Sequence, residues 1–281
     1  MSSFQWKARN FRWVFPRPTL LMGVINLTPD SFSGDGVGRN VDAAVHTAAC
    51  MAEEGADILD LGAASSRPGA HPVSEQDELE RLLPSLEAIR GRFSLPLSVD
   101  TTSARVAEEA LGRGADMIND VSGLTADSRM AGVCQRYGAG VVIMHSRGNA
   151  RTMLQLTGYG HVVEDVISEL EERFLRAEQA GVDRESIAVD PGLGFAKTYE
   201  QNVVLLRHLE RFEIFGRPIL VGPSRKSFIG LATGREVGDR LFGTAAACAL
   251  AIRNGAHVLR VHDVAAMRDV ARLADGVGQA F

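Results

Sequence analysis

The sequence predicts an α/β fold, a (β/α)8 or TIM barrel forming a single domain, with residues 1–18 as a short N-terminal extension and 19–281 as the barrel. Three observations carry that expectation. Beyond the extension, short apolar runs alternate eight times with longer amphipathic ones; the short runs are apolar throughout; and four of the amphipathic runs end in the same Gly-Ala joint. Apolar strands separated by helical crossovers describe a parallel sheet covered by helices, and eight such units favour closure into a barrel over an open doubly wound sheet.

The units follow in order. TLLMGVIN leads to DAAVHTAACMAEEGA, and ILDLG to SEQDELERLLPSLEAIRGR, where Leu79, Leu82, Leu83, Leu86 and Ile89 recur at helical spacing behind Ser74 and Asp77 as starting caps. LPLSVD precedes SARVAEEALGRGA, MINDV precedes DSRMAGVCQRYGA, and VVIMH precedes VVEDVISELEERFLRAEQAG. IAVDPG with TYEQNVVLLRHLERF, PILVGPS with DRLFGTAAACALAIRNGA, and VLRVHD with VAAMRDVARLADGVG complete the series. The joints EEGAD, GRGAD, RYGAG and RNGAH place Gly where a helix end needs the left-handed conformation.

Composition narrows the function. Of 281 residues 45% are hydrophobic and 23% charged, with a net charge of −5, which argues against disorder and against a strongly basic nucleic-acid binder. The amino terminus is basic and aromatic without the apolar segment of a signal peptide, and no stretch approaches ~20 uninterrupted apolar residues, so a soluble, cytoplasmic protein is expected. Cys50, Cys134 and Cys248 stand apart in Ala-rich helical surroundings and read as structural thiols, and the seven His form no zinc-ligand pattern.

In a barrel of this kind function is built at the carboxyl ends of the strands. Here those ends carry Asn26, Asp60, Asp100, Asn119, His145, Asp190, Ser224 and His262. Carboxylates such as Asp100 and Asp190 can accept paired N–H groups from the amino-amidine edge of a 2-aminopyrimidinone, with Asn119 beside them, which suits a flat, nitrogen-rich heterocycle. Lys226, Arg260 and His262 gather cations in the last units of an acidic chain and argue for a bound anion. Asn26 can offer an oxygen to Mg²⁺, which takes few protein ligands and keeps phosphate and water. The loops TPDSFSGDGVGRN and AASSRPGAHPVSEQ are long and rich in Gly, Pro and Ser, and Arg67, held between Ser66 and Pro68, favours reading them as lids. There is no Walker-type phosphate loop.

NLTPDSFS, SSRPGA, SVDTT, INDVSG, DPGLGFAKT, SRKSFIG and RVHDV, in this order, resemble the successive signatures of the dihydropteroate synthases of folate biosynthesis, from about Leu20 to Val264. The resemblance implies a transferase that condenses 6-hydroxymethyl-7,8-dihydropterin pyrophosphate with 4-aminobenzoate, releasing pyrophosphate, and it implies a homodimer. By that resemblance Asp100, Asn119, Asp190 and Lys226 hold the pterin; Asn26, Arg260 and His262 hold pyrophosphate and Mg²⁺; and Ser66, Arg67, Pro68, Phe195, Lys226 and Ser227 hold aminobenzoate. Asp190, Lys226, Arg67 and Asp35 become the residues expected to carry catalysis. Ser65-Ser66-Arg67-Pro68-Gly69 stands where the family commonly has S-T-R-P-G, and SFSGDGV moves the acid of the first loop by one position to Asp35. Two alternatives stay open: a methyltetrahydrofolate-binding methyltransferase domain, which has no use for pyrophosphate, and a pterin-binding protein without catalysis.

Overall fold

The computed structural model describes residues 3–28, 36–65 and 67–279. Asp35 and Ser66 lie outside the described residues. Two antiparallel strands open the chain, β1 (Phe4–Ala8) and β2 (Phe11–Phe15), followed by parallel strands β3 (Leu20–Asn26), β4 (Ile58–Gly62), β5 (Leu97–Asp100), β6 (Met117–Asp120), β7 (Gly140–Met144), β8 (Ile187–Asp190), β9 (Leu220–Val221) and β10 (Val258–Val261). The parallel strands are ordered β8-β7-β6-β5-β4-β3-β10-β9. A parallel bridge from Val189 to Ile219, with the Val189 N–H donating to the Pro218 carbonyl at 2.9 Å, joins the two ends and closes the barrel.

The connecting helices are α1 (Val41–Glu53), α2 (Glu75–Arg90), α3 (Ala104–Gly112), α4 (Met130–Tyr137), α5 (Val162–Gln179), α6 (Tyr199–Arg207), α7 (Ser227–Thr233), α8 (Leu241–Arg253) and α9 (Val264–Gln279). Asn40, Ser74, Ser103 and Thr198 cap helix starts with side-chain oxygens, and Thr198 completes a capping box with Gln201. At the four Gly-Ala joints the glycine takes positive φ, from 58° to 103°. The alanine N–H then closes on the carbonyl five residues back, Ala56 to Met51, Ala115 to Ala110, Ala139 to Cys134 and Ala256 to Ala251. Both letters of the motif thus have a cause: glycine tolerates the left-handed turn, and the small alanine after it turns inward as the next strand begins. Cys134 and Cys248 are buried, and burial pushes both thiols up to about 12.

Two features lie outside the eight repeats, and the first closes the far end of the barrel, the role that suits residues 1–18 from their sequence. The extension folds as a hairpin whose Trp6, Trp13 and Phe15 cluster with Leu20, Met22, Ile58, Met117, Val142, Ala188, Leu220 and Val258, the inward residues near the strand starts. Trp6 is buried completely and donates its indole N–H to the Ser186 carbonyl at 3.2 Å. The second feature is α7, a short helix of seven residues inside the connection after β9; with a glycine at its centre and so few turns, SFIGLAT carries little helical periodicity.

Candidate active site

Inward positions recur every second residue along a strand, so the residues just above the apolar layer share the barrel axis. Register sets their neighbours: Asp60 pairs with Val24 and Ser98, and Asp100 with Gly62 and Asn119. Above them the carboxyl ends of the strands enclose a cleft of about 360 Å³. Every described residue expected from the sequence to bind ligand lines it: Asn26, Arg67, Pro68, Asp100, Asn119, Asp190, Phe195, Lys226, Ser227, Arg260 and His262.

The floor is an interlocked set of charges. Arg260 donates from Nε to Asp60 Oδ2 at 2.6 Å and from Nη2 to Asp100 Oδ2 at 2.9 Å, while Asn119 Nδ2 donates to the same Asp60 oxygen at 3.3 Å. Asp60 is wholly buried and acts as the strut beneath Arg260 rather than as a wall of the cleft. Burial pushes the Asp100 carboxyl up to about 7, against the pull of Arg260. Burial also raises Asp190, opposed by Lys226 and by the Gly192 N–H, which donates to Asp190 Oδ1 at 2.7 Å. Lys226 is brought down to about 8 by burial, opposed by Asp190, and its Nζ stands 4.5 Å over the Phe195 ring while donating to the Leu193 carbonyl.

The loop after β8 can take this shape because of Gly192. Its φ is 71°, and a Cβ there would come within 1.9 Å of the His145 carbonyl oxygen. On the far side, the His262 ring Nδ1 lies 2.9 Å from Ser224 Oγ, and Arg225 pairs with Asp263 at 2.6 and 3.1 Å. On the loop after β4, Arg67 Nε donates to Ser65 Oγ at 3.2 Å.

One polar strand end departs from the expected convergence. Ring Nε2 of His145 lies 3.1 Å from Glu169 on α5, so the side chain is turned out of the barrel and buried against the helices. The reason is parity: Val142 and Met144 occupy the inward positions of β7, which sends residue 145 the other way. Sequence reasoning also passed over wall residues Thr28, Val121, Met144 and Arg225. Strand parity could have found Met144, and Arg225 stands beside Lys226 in the SRK motif.

A parallel barrel whose mouth sets buried carboxylates and an amide beside lysine, arginine and histidine defines a class, the barrel enzymes that grip a flat polar ring next to an anion. The family model described as pterin binding enzyme matches residues 22–262. The chain is 45% identical to the dihydropteroate synthase of Synechocystis sp. over 260 residues, 92% of this chain and 90% of that one, and 40% identical to the dihydropteroate synthase of Bacillus subtilis, covering 94% and 90%. Among solved structures it resembles the Yersinia pestis dihydropteroate synthase, crystallised as a sulfonamide drug complex, with a TM-score of 0.94 at 35% identity over 99% and 100% of the two chains. The Thermus thermophilus enzyme in complex with 4-aminobenzoate matches with a TM-score of 0.87 at 42% identity over 97% and 99%. The chain belongs to the pterin-binding enzymes and, within them, to the dihydropteroate synthases, transferases of folate synthesis.

Proposed function

We propose that the cleft joins 6-hydroxymethyl-7,8-dihydropterin pyrophosphate to 4-aminobenzoate with the residues the sequence singles out. The observation that carries this division of roles is the gathering of all eleven described residues around one cleft. Asp100, Asn119 and Asp190 face the ring edge as acceptors, and an ionised carboxylate receiving paired N–H groups is both strong and geometrically selective. Arg260 has Nε and Nη2 engaged by carboxylates, so Nη1 is the group a diphosphate would meet, with His262 and Asn26 beside it. Arg67, Pro68, Phe195, Lys226 and Ser227 form the aminobenzoate end, with Ser66 and Asp35 assigned to the same lids.

Departure of diphosphate leaves positive charge on the pterin methylene, which the ring system and Asp190 stabilise; the arylamine is already neutral and attacks there. The bond from the methylene carbon to the diphosphate oxygen breaks, the new C–N bond forms, and the amine loses a proton. Charge stabilisation and alignment together supply the acceleration, and alignment alone can contribute on the order of 7–11 kcal/mol when reacting atoms are held in line. The metal expectation fits the donor chemistry. The described residues contain no cluster of three or more His, Cys, Asp or Glu, as a caged ion would need, whereas Asn26 lines the cleft with one hard oxygen. Asn26 would hold Mg²⁺ jointly with diphosphate oxygens and water, and the ion would supply charge neutralisation to the leaving group.

The same reading includes a homodimer in the cytoplasm. Phe242, 86% exposed, and Leu250 on α8, with Leu273 and Val277 on the adjoining α9, are large apolar side chains left in solvent on the late helices, which supports an interface there. Among the described residues no helix is long and apolar enough to cross a membrane. The test of function is direct: purified protein is given dihydropterin pyrophosphate, 4-aminobenzoate and Mg²⁺, and diphosphate release is followed. Release that requires aminobenzoate is expected; pterin binding with no turnover would overturn the reading.

A further inference from the structure

We infer that Lys197 is a positioning residue for this reaction, acting through a chain that runs from half-buried Glu169 through buried His145 to the backbone of Phe195. The inference deepens the proposed function and rests on it. Lys197 is not part of the cleft wall, yet it is only 6% exposed, and its two partners are an imidazole and a carbonyl rather than a carboxylate. Its Nζ lies 3.0 Å from His145 Nδ1 and 2.9 Å from the Phe195 carbonyl, while His145 Nε2 lies 3.1 Å from Glu169 Oε2. Glu169 is fixed in turn by Arg147, which donates to its other oxygen from Nε at 2.9 Å and from Nη2 at 2.5 Å.

The partners dictate the direction of every bond. A carbonyl only accepts, so Lys197 donates to Phe195. An ionised carboxylate also only accepts, so the His145 proton is on Nε2 and points at Glu169, leaving Nδ1 to accept from Lys197. His145 is held neutral, down to about 3, first by burial and then by Lys197, and burial lowers Lys197 itself well below the ordinary lysine value. A second N–H of the amine remains for Phe195 in either charge state.

What the chain holds is the loop 190–197. Asp190 is secured without Lys197, because its carbonyl accepts the His145 N–H at 2.8 Å and its carboxylate accepts Gly192 N–H. Gly194 N–H is taken by Asn202 Oδ1 of α6 at 2.5 Å. Phe195 donates its N–H to the Gly192 carbonyl at 3.1 Å within the same loop, but its carbonyl is held by Lys197, and its ring carries the Lys226 ammonium at the end of the cleft assigned to aminobenzoate. Misplacing reacting groups by about 1 Å can cost on the order of a hundred-fold in rate. Loss of Lys197 therefore falls mainly on the aminobenzoate end; the pterin keeps Asp100, Asn119 and Asp190, each held by its own hydrogen bonds, and shares only Lys226 with that end.

The test measures kcat and both KM values by diphosphate release in Lys197→Met, His145→Leu and His145→Gln. In Lys197→Met the KM for 4-aminobenzoate rises and kcat falls, with a combined loss of at least about ten-fold, while the KM for the pterin substrate moves less than about three-fold. His145→Leu reproduces that split. His145→Gln, whose amide can accept from Lys197 and donate to Glu169, restores most of the activity, and the Lys197→Met/His145→Leu double variant is no worse than either single one because both break the same chain. Wild-type turnover in the same assay tests the proposed function separately. If the wild type turns over while folded Lys197→Met keeps its constants or raises both KM values equally, this inference alone fails. If Lys197→Met does not fold, the two His145 variants decide by the same split. Failure of all three to fold overturns the inference in favour of a purely structural role.

Discussion

At its N-terminal end the barrel presents Leu20, Met22, Ile58, Met117, Val142, Ala188, Leu220 and Val258, sealed beneath Trp6, Trp13 and Phe15. At its C-terminal end, further along the same strands, it presents Asn26, Asp60, Asp100, Asn119, Asp190 and Arg260. Between Ile58 and Asp60, between Met117 and Asn119, and between Val258 and Arg260 lies a single step of two residues on one face. That step separates a layer whose free energy comes from removing apolar surface from water from one that buries charges at a cost met by mutual pairing. The two layers divide stability from chemistry along the barrel axis, and each can be damaged without the other.

The largest effect belongs to the sealed end. Trp6→Ala should cost about 3–5 kcal/mol of stability, as for other buried aromatic deletions, visible as a lower denaturation midpoint, with both KM values within about two-fold of wild type at a temperature where it stays folded. A change in KM as large as the loss of stability would break the comparison.

At the mouth, Asp190→Asn exchanges an ionic acceptor for an amide and should weaken pterin binding by about 1.5–3 kcal/mol, roughly ten- to a hundred-fold. Calorimetric titration with a pterin ligand checks this, and unchanged affinity would remove Asp190 from the role. Arg67→Ala should reduce turnover by about ten-fold while leaving pterin affinity near wild type. A folded variant that no longer binds pterin would reassign the loop after β4.

The smallest effect sharpens the comparison through pH. Asp100, raised to about 7, must be ionised to accept, so kcat/KM falls as pH drops through that value; Lys226, lowered to about 8, must be protonated, so kcat/KM falls again as pH rises through its own. The profile should be a narrow bell between them. Asp100→Asn should displace the acid limb, leaving the part set by Asp190, which burial also raises, whereas Trp6→Ala should leave both limbs in place; an acid limb unmoved in Asp100→Asn would assign it to another group.

Much of this was legible beforehand. The four Gly-Ala joints and the apolar runs marked the strands and most helices, because helix termination and strand burial are local demands written residue by residue. The polar strand ends likewise named most of the mouth. Parity was harder to read: His145 ends an apolar strand as Asp190 does, yet Met144 takes the inward place and sends His145 towards Glu169. Lys197 sat unremarked within DPGLGFAKT, since nothing in that string says which lysine meets solvent and which meets an imidazole.

By itself, the sequence determined the repeating unit, its direction and the chemical types collected at one end of the strands, because periodicity and chain-terminating residues act over a few positions. The tertiary structure alone decided how the extension would seal the opposite end, that Asp60 would brace Arg260 from below, and that Phe195 would be held from behind by a buried lysine. The first two outcomes join residues as far apart as Trp6 and Val258 or Asp60 and Arg260, and the third needs His145 to meet Lys197, 52 positions on, so each waits on strands that only the folded barrel sets side by side.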